Sequence, residues 1–239
     1  MSELGIVSAL AAEARHLCRD RPQPGVITRL GAGALLIVTG MGPQAAAAGA
    51  CALIEAGAGA LLSFGLAGAL DPALAPGTVC LPGTVISREG ARVSTTQYWR
   101  EELCEALAER CLVTGGKLLT SPAAIESVAA KARAFRDTGA TLVDMESLSV
   151  GQVAVKHGLP FVAVRVIVDA ACDTLPPCVT RAVEASGEVP IGRLLGELAW
   201  HPQELPAVIR LGARYRAASR ALAAVADSGS LAPQTAAQT

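Results

Sequence analysis

Two hydrophobic patterns alternate along the chain. Continuous apolar runs of strand length occur at LGIVSAL (4–10) and ALLSFG (60–65), at KLLTS, and at FVAVRVIVD, whose strand over 160–168 ends at Asp169. Two further apolar runs (25–31 and 34–40) flank Gly-Ala-Gly and predict a hairpin, and GTVCLPGTVIS (77–87) predicts a strand broken at Pro82-Gly83. Between them lie helical stretches. PQAAAAGACALIEAG (43–57) has Pro at its first position and Gly at its end, EARHLCRD opens a helix after the first strand, and 97–110, 122–136 and 145–157 read as helices. Apolar strands joined by crossover helices predict an α/β domain with its sheet covered on both faces.

Near the C-terminus, Leu205, Val208, Ile209, Tyr215, Leu222 and Val225 recur at helical spacing, with Arg210, Arg214, Arg216 and Arg220 mostly between them. Residues 202–225 thus predict an amphipathic helix. The last stretch, DSGSLAPQTAAQT, is small and polar and reads as a disordered tail. With no internal repeat and no linker, the expected organisation is one domain over 1–226 and a tail over 227–239.

Composition narrows the function classes. Hydrophobic residues make up 51% of the 239 residues but aromatics only 3%, so the core is built from Ala, Val, Leu and Ile. The net charge of −1 supplies no field that recruits nucleic acid. No run of about 20 uninterrupted apolar residues predicts a membrane span. The start MSELGIVSAL carries no basic leader, so a cytoplasmic location is expected. Seven scattered cysteines without a C-x-x-C pair, and three histidines without ligand spacing, predict neither disulfides nor a metal site.

Charges are rare, and their positions are the informative part. LVDMESLSVG places Asp144 and Glu146 where a strand (141–143) gives way to a helix, and RVIVDAACD places Arg165 and Asp169 in and at the end of a strand. Glu13 ends the first strand. In an open α/β sheet, ligands bind outside the carboxyl ends of the strands. Carboxylates there can reach a ligand without lying deep in the core. An ion pair of Arg165 with Asp144 or Glu146 is the competing structural explanation. Three glycine-rich turns, GMGPQ (40–44), FGLAGALDP (64–72) and Pro82-Gly83, would let backbone amides approach a ligand, although each also fits simple strand termination. None matches a P-loop or dinucleotide fingerprint.

SALAAEA with Glu13, the GMG turn and its small-residue helix, SFGLAGAL, VDMES and RVIVDAACD occur in the order seen in the purine nucleoside phosphorylases and methylthioadenosine/S-adenosylhomocysteine nucleosidases, and the chain resembles that superfamily over roughly residues 4–200. VDMES is similar to its V-E-M-E signature and RVIVD to its R-x-x-S-D signature. SFGLAGALDPALAPGTV, RVIVDAACDTLPP and HPQELPAVIRLGARYRAASRAL look most like the hopanoid-associated phosphorylase branch, which removes adenine from adenosylhopane. The resemblance implies a single-domain three-layer α/β/α fold with a mixed central sheet, homo-oligomers of two or more copies, no cofactor, and phosphate open as a co-substrate.

It also implies roles. Asp169 is the expected general acid toward the purine N7, with Glu13 as the group that activates the nucleophile. Glu146 is expected to bind the ribose hydroxyls, with Met145 packed on the sugar and Arg165 neutralising nearby carboxylates. Ser8, Gly42, Gly65, Leu66 and Val168 complete the expected substrate contacts. Two positions depart from the phosphorylase pattern. Leu66 replaces the family serine, and Ser63 stands where hexameric members have arginine; both family residues contact phosphate, so phosphorolysis and hydrolysis stay open. Val168 replaces the serine that helps position the acid, and Asp144 a usual glutamate.

Leu66 would suit a substrate with an apolar 5′ substituent, whose burial contributes several kcal/mol at about 25 cal/mol per Å². The C-terminal helix then either lines that channel, touches the membrane face, or simply caps the sheet. Three functions follow: adenine removal from adenosylhopane, a methylthioadenosine/S-adenosylhomocysteine nucleosidase, or an inactive nucleoside- or lipid-binding protein.

Overall fold

The computed structural model describes residues 3–18, 22–31, 33–174, 200–229 and 231–234. Parts of the predicted tail (230 and 235–239), Cys178 and the 175–199 part of the C-terminal resemblance lie outside the described residues.

The fold is a mixed sheet between helical layers. In chain order it comprises β1 (Glu3–Ser8), α1 (Ala11–Ala14), β2 (Ile27–Leu30), β3 (Ala34–Val38), α2 (Pro43–Glu55), β4 (Ala58–Ala69), β5 (Val79–Cys80), β6 (Thr84–Ile86), β7 (Arg92–Ser94) and α3 (Gln97–Leu107). It continues with β8 (Val113–Thr114), β9 (Lys117–Thr120), α4 (Val128–Thr138), β10 (Leu142–Asp144), α5 (Ser147–Lys156), β11 (Phe161–Asp169) and, after a 3₁₀ turn at Pro202–Glu204, a helix Leu205–Ala226 that we label α6. Strands run in the order β2-β3-β1-β4-β10-β9-β6-β7, and β11 joins the other edge of β4 with β5 and β8 beyond it.

Side-chain alternation decides which helix covers which face. Val7, Leu35, Ile37 and Leu61 meet Ala46, Ala50 and Leu53 of α2 and Leu148, Val150 and Ala154 of α5. On the opposite face Leu4, Ile6, Leu62, Phe64 and Val164 pack against Trp99, Leu103 and Leu107 of α3 and Ala218, Leu222 and Val225 of α6. The small residues of α2 are a packing requirement: a Cβ on Gly49 would stand 2.3 Å from Thr39 Cγ2.

The β2–β3 pair, the break at Pro82-Gly83 and α2 agree with the sequence pattern. Three expectations change. The helix expected from EARHLCRD is only the four-residue α1, and Glu13 lies in that helix rather than at a strand end. The stretch FGLAGALDP is no turn; β4 runs through it to Ala69, because β11 pairs along its edge from Leu61 to Gly68. The predicted C-terminal stripe divides: Leu222 and Val225 are buried, whereas Leu205, Ile209 and Tyr215 are exposed. Among the described residues, no helix is long and apolar enough to cross a membrane.

Candidate active site

Strand β4 is longer than its neighbours, and its edge changes partner. Ala60–Ser63 pair with β1 in parallel, while Gly68 and Ala69 pair with β10 antiparallel. Between these contacts the two partner strands diverge, leaving a fork at Phe64–Ala67. A backbone N–H there needs another acceptor, and Leu66 N–H donates to Glu13 Oε1 at 2.8 Å. Glu13 Oε2 accepts from Ser8 Oγ and from the Leu10 N–H, each at 3.1 Å. Gly65 explains how the carboxylate comes so close, since a Cβ at that position would stand 2.8 Å from Glu13 Oε1.

Glu146 enters from the other side of the fork. Its Oε1 accepts the Gly42 N–H at 2.9 Å, and Gly42 holds φ 104°, a left-handed conformation that favours glycine. The GMG turn therefore presents its amide to a carboxylate of the same chain. Burial and the neighbouring Asp144 push the Glu146 carboxyl up to about 7, against the lowering pull of the Gly42 amide and Arg165; Glu13 adds to the rise. Burial likewise raises Glu13, opposed by Arg165 and by the Leu66 and Leu10 amides. Both groups hold a proton more tightly than ordinary carboxyls do.

Asp144 has a different job. Its Oδ2 accepts from Arg165 Nε at 2.9 Å and from the Ser147 N–H at 3.0 Å, and its Oδ1 accepts from Thr120 Oγ at 2.7 Å. Arg165 Nη2 also donates to Ser63 Oγ at 2.6 Å and Ser147 Oγ at 2.9 Å. Of the two partners open to Arg165, Asp144 is the one it binds. The expectation that these acids avoid the core is corrected: Asp144 is 6% and Glu146 8% exposed. Burial is tolerated because each oxygen named here has a partner.

Asp169 forms a separate cluster. A register shift ends the β11–β4 ladder at Asp169, which pairs with Gly68, and a Cβ on Gly68 would lie 3.2 Å from both carboxylate oxygens. Its Oδ2 meets Nζ of Lys131, which α4 holds fully buried. Asp173, in the following turn, accepts the Ala170 N–H at 2.9 Å and pairs with Arg214 of α6. Burial raises the Asp169 carboxyl, and Lys131 opposes the rise. A cavity of about 360 Å³ opens beside it, lined among others by Asp173, Leu211 and Arg214.

The fork thus gathers Ser8, Glu13, Gly65 and Leu66 with Gly42, Glu146, Asp144 and Arg165, while Asp169 lies over Gly68 two residues further along β4. Met145, Leu66 and Val168 are half-buried. The residues that sequence reasoning missed are the supports: Lys131, Asp173, Arg214, Thr120 and Ser147. Lys131 carried a readable signal, a lysine one turn before buried Ala134 on the inner face of α4. Among the described residues, no group of three His, Cys, Asp or Glu side chains is gathered as a metal site.

Solved structures share this fold at low identity. The native futalosine hydrolase of Helicobacter pylori matches with a TM-score of 0.70 at 16% identity, over 95% of this chain and 96% of its own. A mutant of H. pylori MTAN, with 5′-methylthioadenosine in the active site, matches at 0.67 and 17% identity, over 83% and 99%. S-adenosylhomocysteine nucleosidase from Streptococcus pyogenes, in complex with 5-methylthiotubericidin, matches at 0.63 and 20% identity, over 72% and 85%. The model of the Phosphorylase superfamily matches residues 3–189. By that match, which takes in β1 through β11 and every acid of the fork, the chain belongs to the Phosphorylase superfamily.

Proposed function

We propose that this protein hydrolyses the bond between adenine and ribose in an adenosyl compound, and that the compound is adenosylhopane, whose 5′ carbon carries a hydrocarbon polycycle. The observation that carries the reading is the fork itself: two buried carboxylates, each tied to a backbone amide, with a third over Gly68 on the same strand. Family membership supplies the reaction class. Asp169 donates its proton to the purine N7, so the base leaves neutral. Glu146, as a carboxylate, accepts hydrogen bonds from the ribose hydroxyls and stabilises the cationic sugar. Glu13 takes a proton from the water that attacks C1′, and its raised proton affinity makes it a stronger base than an ordinary carboxylate.

Water is favoured over phosphate because the groups at the phosphate positions are committed elsewhere. Ser63 bonds Arg165 and Ser147, position 66 offers a leucine side chain, and the Leu66 amide is taken by Glu13. Half-buried Leu66 at the sugar's edge and Leu211 of α6, which lines the cavity beside Asp169, favour an apolar 5′ substituent. The same reading takes the protein as a cytoplasmic homo-oligomer that visits the membrane face where such a substrate resides.

Adenine release from adenosylhopane and from methylthioadenosine, with and without phosphate, tests the reading. The expected result is phosphate-independent release with higher kcat/KM for adenosylhopane. A preference for methylthioadenosine would transfer the protein to the nucleosidase reading, and strict phosphate dependence would overturn hydrolysis. Release from neither would sink the enzymatic reading.

A further inference from the structure

Lys131 is a cation without any exposed surface. Its ammonium has three hydrogens and three acceptors among the described residues: Asp169 Oδ2, the Ala170 carbonyl at 2.9 Å and the Asp173 carbonyl at 3.0 Å. All three lie at the end of β11 or in the turn after it, so one side chain from α4 fixes both the carboxylate and the backbone that carries it. Buried ion pairs add little net stability over a well-packed apolar pair. The consequence of this one therefore falls on the proton affinity and direction of Asp169.

We propose that Lys131 is a positioning residue for the acid: it anchors the Asp169 carboxyl over Gly68 and stabilises the carboxylate left when the proton has gone to the purine. The inference rests on reading Asp169 as the general acid. In the step, the Asp169 O–H bond breaks as an N7–H bond forms, and the C1′–N9 electron pair leaves with the purine. Water adds to C1′, its proton passes to Glu13, and Lys131 neither gains nor loses one.

The other charges facing Asp169 do not duplicate this role. Asp173 raises its proton affinity, and Arg214 lowers it from α6 less than Lys131 does. Asp173 is itself held by Arg214 and the Ala170 amide, and Glu204 and Arg210 line the adjoining cavity. Lys131 alone touches the Asp169 carboxylate with a cation among the described residues.

The test compares wild type, Lys131→Gln, Lys131→Met, Lys131→Arg and Asp169→Asn on whichever of the two adenosyl substrates the wild type cleaves. Loss of the cation should lower kcat by about 10–100-fold, less than the roughly 10²–10⁴-fold that general acid catalysis supplies as a whole, with KM near the wild-type value. Because Lys131 opposes protonation of Asp169, the basic limb of the pH–rate profile should move to higher pH in the Gln and Met variants and return in Lys131→Arg. An unmoved limb, or a loss that Arg does not rescue, overturns the proposal. Should the neutral variants not fold, the wild type still decides. Its Lys131 ¹⁵Nζ resonance should shift as Asp169 loses its proton, with the midpoint of the basic limb, and a flat signal overturns the inference. An active Asp169→Asn protein would instead sink the acid assignment beneath it.

Discussion

The two carboxylate clusters of this protein are held by opposite means. At the fork, Glu13 and Glu146 are gripped by neutral backbone amides, and the nearby cation, Arg165, is spent on Asp144. Across β4, Asp169 is gripped directly by a cation, Lys131. Amide and ammonium both pull a carboxyl's proton affinity down, and burial outweighs the pull at all three acids; the ammonium differs in bringing a full charge against the carboxylate. The first arrangement suits groups that accept hydrogen bonds or protons. The second suits a group that must give a proton up.

The comparison breaks most visibly at Asp169. Asp169→Asn should lower kcat for adenine release by about 10²–10⁴-fold while leaving substrate affinity largely intact, measured by steady-state kinetics. Next comes the structural pair. Asp144→Ala leaves Arg165 buried without its counter-charge and should cost about 3–5 kcal/mol in urea unfolding.

A smaller effect separates the two glycines of β4. Gly65→Ala forces its Cβ against Glu13 and should cost about 1–3 kcal/mol, as overpacking does, together with much of the activity. Gly68→Ala, with 3.2 Å to the Asp169 oxygens, should cost less on both counts. Reversal of that order in unfolding and kinetic assays would refute the close-approach account.

The last effect is a pH slope. Glu146 has a folded proton affinity of about 7 against an ordinary 4.5, so between these values the folded state binds more protons than the unfolded one. Its contribution to stability is therefore present at low pH and lost as pH rises from about 4.5 to about 7. Glu146→Gln should flatten that slope, seen as a smaller change in urea midpoint between pH 5 and pH 8.

Much of the fold was legible because it depends on period and punctuation. The β2–β3 hairpin and α2, with Pro43 at its start, follow from local chemistry that needs no partner. The failures share one cause. FGLAGALDP reads as a turn when its glycines are weighed alone, yet it is strand because β11 pairs beside it and because two carboxylates occupy the space where side chains would stand. Glu13, Glu146, Arg165 and Asp169 could be nominated from the rarity of charge in an apolar chain. Their partners could not, since Lys131 lies 38 residues from Asp169 and Gly42 lies 104 from Glu146.

By itself, then, the sequence determined most of the element types, the α/β class and which few charges stand out against an Ala-rich background, because periodicity and composition are local. Tertiary structure decided which carboxylate meets an amide and which meets a cation. That choice depends on where β1 and β10 part along β4 and on which helix delivers a lysine. Hydrogen bonds and burial are set by neighbours in space, and those neighbours set the proton affinities from which the proposed chemistry follows.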